Sequence, residues 1–169
     1  MSALQFWLLL LAGLAAIGCA TAQVVKLDGV ATSSPKRADK LVLSDAEWKR
    51  RLTTEQYKIL RAKGTEPAFC GVNLKPAGPG IYHCVGCDLP LFRATQKFDS
   101  GTGWPSYTEP LTKDAIWFKK DVSFGMVRTE VLCARCDGHL GHVFNDGPPP
   151  TGLRYCINGT ILVFRPDGK

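Results

Sequence analysis

Two Cys-x-x-Cys pairs, Cys84-Val85-Gly86-Cys87 and Cys133-Ala134-Arg135-Cys136, set the first limit on the fold. Two residues between cysteines let both sulfurs turn to one side and fill two corners of a tetrahedron, so two pairs complete a closed four-thiolate Zn²⁺ site. Each pair ends a strand-like run and is followed by an acid, Asp88 or Asp137. The pairs are too far apart for a short zinc ribbon, so one structural zinc per chain would tie distant strands together. A closed site has no open position for Lewis-acid chemistry. The competing reading is two disulfides or two redox dithiols, which an oxidising compartment favours.

Compartment is therefore the next question. The first 25 residues carry no charged side chain, and Phe6 to Gly18 is an almost unbroken apolar run ending in small residues. This has the form of a signal-peptide core, with Ala20-Thr21-Ala22 as an A-x-A cleavage site. Ala16-Ile17-Gly18-Cys19 also resembles a lipobox, which would lipidate Cys19. An uncleaved anchor is the third reading, since about 20 apolar residues span a bilayer. Residues 1–22 are accordingly expected to be a signal peptide or N-terminal anchor. The chain is expected to be exported, to the periplasm or along a secretory pathway, either free or held at the membrane. Residues 23–40, polar and containing Ser33-Ser34-Pro35, read as a flexible linker, and 41–169 as one folded domain.

The domain opens with two helix signals. Ser44-Asp45-Ala46-Glu47 and Thr53 to Gln56 both have capping-box form, and Gly64 is placed to cap the second helix. Beyond it come short β-branched and aromatic runs separated by Gly, Pro and Asp: 81–83, 115–119, 124–133, 142–144 and 153–164. That texture predicts a mainly β, antiparallel architecture behind two short N-terminal helices. With 17 Gly and 11 Pro among 169 residues, the composition agrees. The net charge of +6 is spread along the chain, Lys49-Arg50-Arg51 being the only basic triplet, and no aromatic-interleaved stripe accompanies it. Nucleic acid is not an expected partner.

The chemistry points to Cys156. In Arg154-Tyr155-Cys156-Ile157-Asn158, period two places Arg154, Cys156 and Asn158 on one strand face and Tyr155 and Ile157 on the other. A guanidinium beside a thiol lowers its pKa. Gly138-His139-Leu140-Gly141-His142 adds two imidazoles that would face opposite ways on a straight strand. The glycines allow a bulge that brings both to one site. Taken alone, a seventh cysteine is more often an inert core residue.

A resemblance adds to this reading. Phe98-Asp99-Ser100-Gly101-Thr102-Gly103-Trp104-Pro105-Ser106, then Met126 to Val131, His139 to Pro148 and Arg154 to Asn158 look like the successive signature blocks of MsrB-type methionine sulfoxide reductases. The similarity covers roughly Leu43 to Phe164. It implies a β-tent-like fold of two antiparallel sheets, a four-cysteine zinc site with no organic cofactor, and a monomer. The substrate would be the R epimer of methionine sulfoxide, in proteins or as the free amino acid. Matched by position, Cys156 is the nucleophile, His139, His142 and Asn158 are polar site groups, Arg154 stabilises the thiolate, and Trp104 is the wall against the substrate methyl. Many relatives carry a resolving cysteine where this chain has Thr102. Cys70 matches an alternative resolving position, from which a disulfide would pass to thioredoxin or a similar dithiol. Asn158-Gly159-Thr160 is also an N-glycosylation sequon. Two rival classes remain: a zinc-stapled binding module without catalysis, and a hydrolase using the His pair and a cysteine on a second zinc.

Overall fold

The computed structural model describes residues 25, 28–72 and 78–168. The apolar leader, with Cys19 and Ala20-Thr21-Ala22, lies outside the described residues, and no helix among those described is long and apolar enough to cross a membrane.

Both capping boxes form. Ser44 Oγ accepts from the Glu47 N–H while a Glu47 carboxylate oxygen accepts from the Ser44 N–H, and helix α1 runs Asp45–Arg51. Thr53 and Gln56 repeat the exchange at the head of α2, Thr54–Leu60. Each cap contributes about 1 kcal/mol. Two helices of seven residues are unstable alone, so burial of Trp48, Ile59 and Leu60 must hold them. Helix α2 ends earlier than Gly64 suggested: Arg61 caps it, and Lys63, not the glycine, takes the left-handed conformation at φ 59°.

Among the described residues nine strands follow, β1 Gly80–Cys84, β2 Pro90–Arg93, β3 Lys97–Phe98, β4 Ser106–Tyr107, β5 Ile116–Asp121, β6 Arg128–Cys133, β7 His139–Phe144, β8 Arg154–Ile157 and β9 Leu162–Pro166. They form a three-stranded sheet, β2-β1-β9, and a six-stranded sheet, β3-β4-β8-β7-β6-β5, in which every ladder is antiparallel. The expected two-sheet, mainly β architecture is therefore present. Two expected runs differ from the structure. The 124–133 run becomes a turn at Phe124 before β6, and the 153–164 run breaks at a 3-10 turn, Gly159–Ile161, so that β8 and β9 serve different sheets.

The core lies between the sheets as a chain of aromatic rings. Tyr82 on β1 meets Tyr107 on β4 edge-on at 5.5 Å, Tyr107 stacks on Phe92 of β2 at 4.4 Å, and Phe92 reaches Tyr155 of β8 at 6.1 Å. Such pairs add about 0.5–1.5 kcal/mol each beyond the area they bury. Because Tyr155 and Ile157 anchor β8 in this core, its intervening residues face the opposite side.

The stretch read as a flexible linker behaves otherwise from residue 28 onward. It is irregular but fastened to β5, the open edge of the larger sheet. Ala31 bridges to Trp117, its carbonyl accepts from Phe118 N–H at 2.8 Å, and Val30 is buried. Lys40 Nζ reaches Asp137 at 2.8 Å beside the second cysteine pair. An edge strand leaves backbone groups unpaired, and the strap satisfies some of them.

Candidate active site

The cavity at Cys156 is assembled from three strands and two loops. On β7, His142 stands directly across from Cys156 and Phe144 across from Arg154; on the other side β4 sets Ser106 opposite Cys156. A cavity of about 120 Å³ is lined by Cys156, His142, Phe144, Asn158, Trp104 and Arg128, among others. A second cavity of about 260 Å³ contains His139, Glu130 and Asp121 and shares Thr65, Arg128 and His142 with the first.

The bulge that the glycines allowed is real. Leu132 pairs with His139 but the next residue back, Val131, pairs with Gly141, leaving Leu140 as the extra residue. Its effect is to bring the two imidazoles to one side, with ring centroids 5.5 Å apart. Each ring then meets a carboxylate. His139 Nδ1 lies 2.8 Å from Glu130, and His142 Nε2 lies 2.8 Å from Asp121. Burial pushes the Glu130 carboxyl up, but hydrogen bonds from His139 and Lys63 outweigh it and hold it below the usual carboxylate range. Asp121 follows the same logic: burial raises it, and bonds from Ser123, His142 and Arg128 bring it well below. Burial lowers the pKa of His142, and the charge of Arg128 adds to this, so the Asp121 bond only partly restores it. His142 is thus a weaker base than free histidine, and its conjugate acid a stronger one.

Arg154 sits beside Cys156 but is shared. Its Nε and one terminal nitrogen grip both oxygens of Asp146 at 2.8 Å, and its guanidinium lies 4.5 Å over the Phe144 ring. The arginine pulls the Cys156 pKa down, as does a hydrogen bond from Thr102, yet burial exceeds both and leaves the thiol above its ordinary value. A cation beside a thiol lowers its pKa only as far as the desolvation that accompanies burial allows. Thr102 thus stands close to the thiol, and its hydroxyl is tied to Ser100 Oγ at 2.8 Å.

Trp104 and Asn158 both bond to one residue of the neighbouring loop. Trp104 Nε1 donates to the Glu66 carbonyl at 3.0 Å, and Asn158 Oδ1 accepts from the Glu66 N–H at 3.0 Å. Asn158 Nδ2 also donates to Leu140 O. With 3% of its surface exposed and both ends of its amide engaged, Asn158 is closed to glycosylation in the folded chain. Cys70, on the same loop as Glu66, is exposed and is not among the cavity-lining residues.

Sequence reasoning passed over Asp121, Glu130, Arg128 and Glu66. Glu130 alone carried a signal, being a carboxylate directly before the apolar Val131-Leu132-Cys133 stretch of a strand run, where a buried acid demands a partner.

The four remaining cysteines converge. Cys84 ends β1 and Cys133 ends β6, and each chain then turns so that the ligand atoms of Cys84, Cys87, Cys133 and Cys136 all lie within 4.8 Å of one another. All four are buried free thiols, with Cys84–Cys136 and Cys87–Cys133 sulfur separations of 3.8 and 3.5 Å. A tetrahedron with metal–sulfur bonds of about 2.3 Å has edges of about 3.8 Å, so the donor set fits zinc without rearrangement. The cluster joins a hairpin of one sheet to a hairpin of the other. Leu60 of α2 packs over both turns, its methyl carbons against Gly86 and Gly138. Among the described residues this is the one group of three or more ligating side chains, and the His pair is engaged by carboxylates instead.

A zinc-type cysteine cluster joins two antiparallel sheets, and a separate thiol faces His142 of the adjacent imidazole pair; the SelR domain family model matches residues 52–166. The chain is 59% identical over 124 residues to a peptide methionine sulfoxide reductase MsrB of Pseudomonas syringae pv. syringae, covering 73% of this chain and 95% of that one. It is 58% identical over 123 residues to the MsrB of Agrobacterium fabrum, covering 73% and 91%. It is also 61% identical over 121 residues to the chloroplastic peptide methionine sulfoxide reductase B1 of Oryza sativa subsp. japonica, covering 71% and 56%. The chain belongs to the MsrB-type peptide methionine sulfoxide reductases.

Proposed function

We propose that this enzyme reduces the R epimer of methionine sulfoxide through a sulfenic acid on Cys156, which Cys70 resolves and thioredoxin or a similar dithiol recycles. The observation that carries the reading is the single cavity in which Cys156 meets His142, Asn158 and Trp104.

The Cys156 thiolate attacks the sulfoxide sulfur, and a histidine of the pair protonates the oxygen, which is a poor leaving group without that proton. The protonated oxygen passes from the substrate sulfur to the Cys156 sulfur, so the substrate S–O bond and the transient S–S bond break as the Cys156 S–O bond forms; Cys156 is oxidised by two electrons to a sulfenic acid, and methionine departs reduced by two. The Trp104 ring offers the substrate methyl an apolar contact. Cys70 thiol then attacks the sulfenic sulfur, releasing water and leaving a Cys70–Cys156 disulfide. Because Cys70 is exposed and outside the cavity lining, this step requires its loop to move. A dithiol donor reduces the disulfide and is itself oxidised.

Cys84, Cys87, Cys133 and Cys136 would hold one zinc ion, whose bonds cross-link the two sheets. The leader directs export, to the periplasm or a secretory route, with or without retention at the membrane. N-terminal sequencing of the mature protein tests that part.

The catalytic reading is tested with purified protein, dithiothreitol and the separated R and S epimers. The R epimer is consumed, and Cys156→Ser abolishes the reaction. Equal turnover of the epimers, or none, refutes the assignment.

A further inference from the structure

Glu66 is a carboxylate with 3% of its surface exposed, and it takes no direct part in the chemistry described above. A buried charge is costly unless its oxygens are bonded. Here one oxygen accepts from the Gly159 N–H at 2.5 Å and the other from the Thr160 N–H at 2.8 Å. These amides directly follow Asn158. The main chain of the same residue binds the Asn158 side chain through its N–H and the Trp104 indole through its carbonyl. Four hydrogen bonds at one residue therefore join the Cys70 loop, the Trp104 turn and the segment that continues from Cys156.

The packing around the carboxylate is as close as backbone allows. A Cβ on Gly71 would stand 2.3 Å from Glu66 Oε1, and one on Gly159 would stand 1.8 Å from the Val72 carbonyl. Both positions need glycine for the loop to wrap the acid while pressing on the 158–160 segment.

We propose that Glu66 is a positioning residue of the active site: by clamping the backbone after Asn158, its carboxylate holds Trp104 and Asn158 in register with Cys156. This rests on the reading of Cys156 as the reacting thiol and of Trp104 and Asn158 as substrate contacts. The carboxylate matters because two N–H donors point at it. A glutamine in its place has one acceptor oxygen and one donor group, so one amide would face a donor. The substrate-facing side chains then lose their register, whereas the thiol, fixed by β8, keeps its own.

The test compares Glu66→Gln and Glu66→Asp with the unaltered chain, using dithiothreitol and methionine-R-sulfoxide. To read the thiol by itself, alkylation of Cys156 by iodoacetamide is followed in a Cys70→Ser background. Loss of a charge-assisted bond and creation of an unpaired donor raise KM about tenfold or more in Glu66→Gln. Alkylation stays within about threefold of the parent, because the thiol's own neighbours are unchanged. Glu66→Asp, which keeps two acceptors on a shorter stem, falls between. An unchanged KM in Glu66→Gln overturns the proposal, as does a fall in kcat and alkylation together at constant KM. Should Glu66→Gln not fold, an unchanged KM in Glu66→Asp overturns it, and failure of both to fold assigns Glu66 to the fold alone. If the unaltered chain does not reduce the R epimer, the functional reading fails; if it does and the variants match it, only the role of Glu66 fails.

Discussion

The Nε2 of His142 lies 2.8 Å from Oδ2 of Asp121, an oxygen that also accepts from Arg128 at 2.7 Å. Asp121 is the group that raises the pKa of a histidine which burial and Arg128 both lower. It also fixes the ring, so that the other nitrogen is the one available to exchange a proton. In Asp121→Asn the imidazolium becomes scarcer, and the high-pH limb of the reduction rate moves to lower pH. The rate at neutral pH falls by about ten- to a hundredfold. A pH–rate profile for the R epimer checks this, and an unmoved limb would remove His142 as the acid.

The resting thiol should behave as a protonated one. Burial holds the Cys156 pKa above its ordinary value despite Arg154 and Thr102. In a Cys70→Ser background its alkylation rate therefore rises with pH through a midpoint above about 8.5, the value of a free cysteine. Arg154→Gln removes one of the influences that lower it and moves the midpoint further up. Thiol titration by alkylation reads both, and a midpoint below that of free cysteine contradicts the electrostatics.

Thr102 and Cys70 can be set against each other. Cys70→Ser keeps turnover with dithiothreitol but stops cycling with thioredoxin, because a single thiol cannot release the sulfenic acid as a disulfide. Thr102 stands near enough to Cys156 to lower its pKa. The double variant Cys70→Ser, Thr102→Cys therefore regains thioredoxin-dependent turnover. Steady-state cycling and a mass-resolved disulfide between residues 102 and 156 report the outcome.

Leu60 is 1% exposed and packs over both cysteine turns. Leu60→Ala should cost about 2–5 kcal/mol in urea unfolding, the range for deleting a buried leucine side chain. It should also hasten loss of metal to a chelator. Metal analysis of the parent should give one zinc per chain, and removal of that zinc should unfold both hairpins together. A chain that keeps its unfolding midpoint after metal removal would show that the cysteines are not the staple.

Several elements could be read directly because their causes are local. Ser44 with Glu47 and Thr53 with Gln56 sit within one turn of each other, so the caps follow from spacing. Two residues between cysteines orient a pair of sulfurs whatever surrounds them. The alternation at residues 154–158 sends Tyr155 and Ile157 to the core and leaves Cys156 on the other face. Strands β2, β3 and β4 escaped because two to four residues carry too little periodicity to register. Gly64 misled because Lys63 takes the left-handed turn one residue earlier and is tied to Glu130 across the fold.

The cysteine pairs, the helix starts and the face on which the thiol lies were legible from the residues alone, since each depends on positions close together in the chain. The folded arrangement was needed to see that Asp121 holds His142, that Glu130 holds His139 and that the Glu66 carboxylate bonds the amides after Asn158. It alone decided that burial outweighs Arg154 at Cys156. Hydrogen bonds between distant segments and the desolvation of a thiol depend on everything packed around a group, and that surrounding exists only once the sheets have closed.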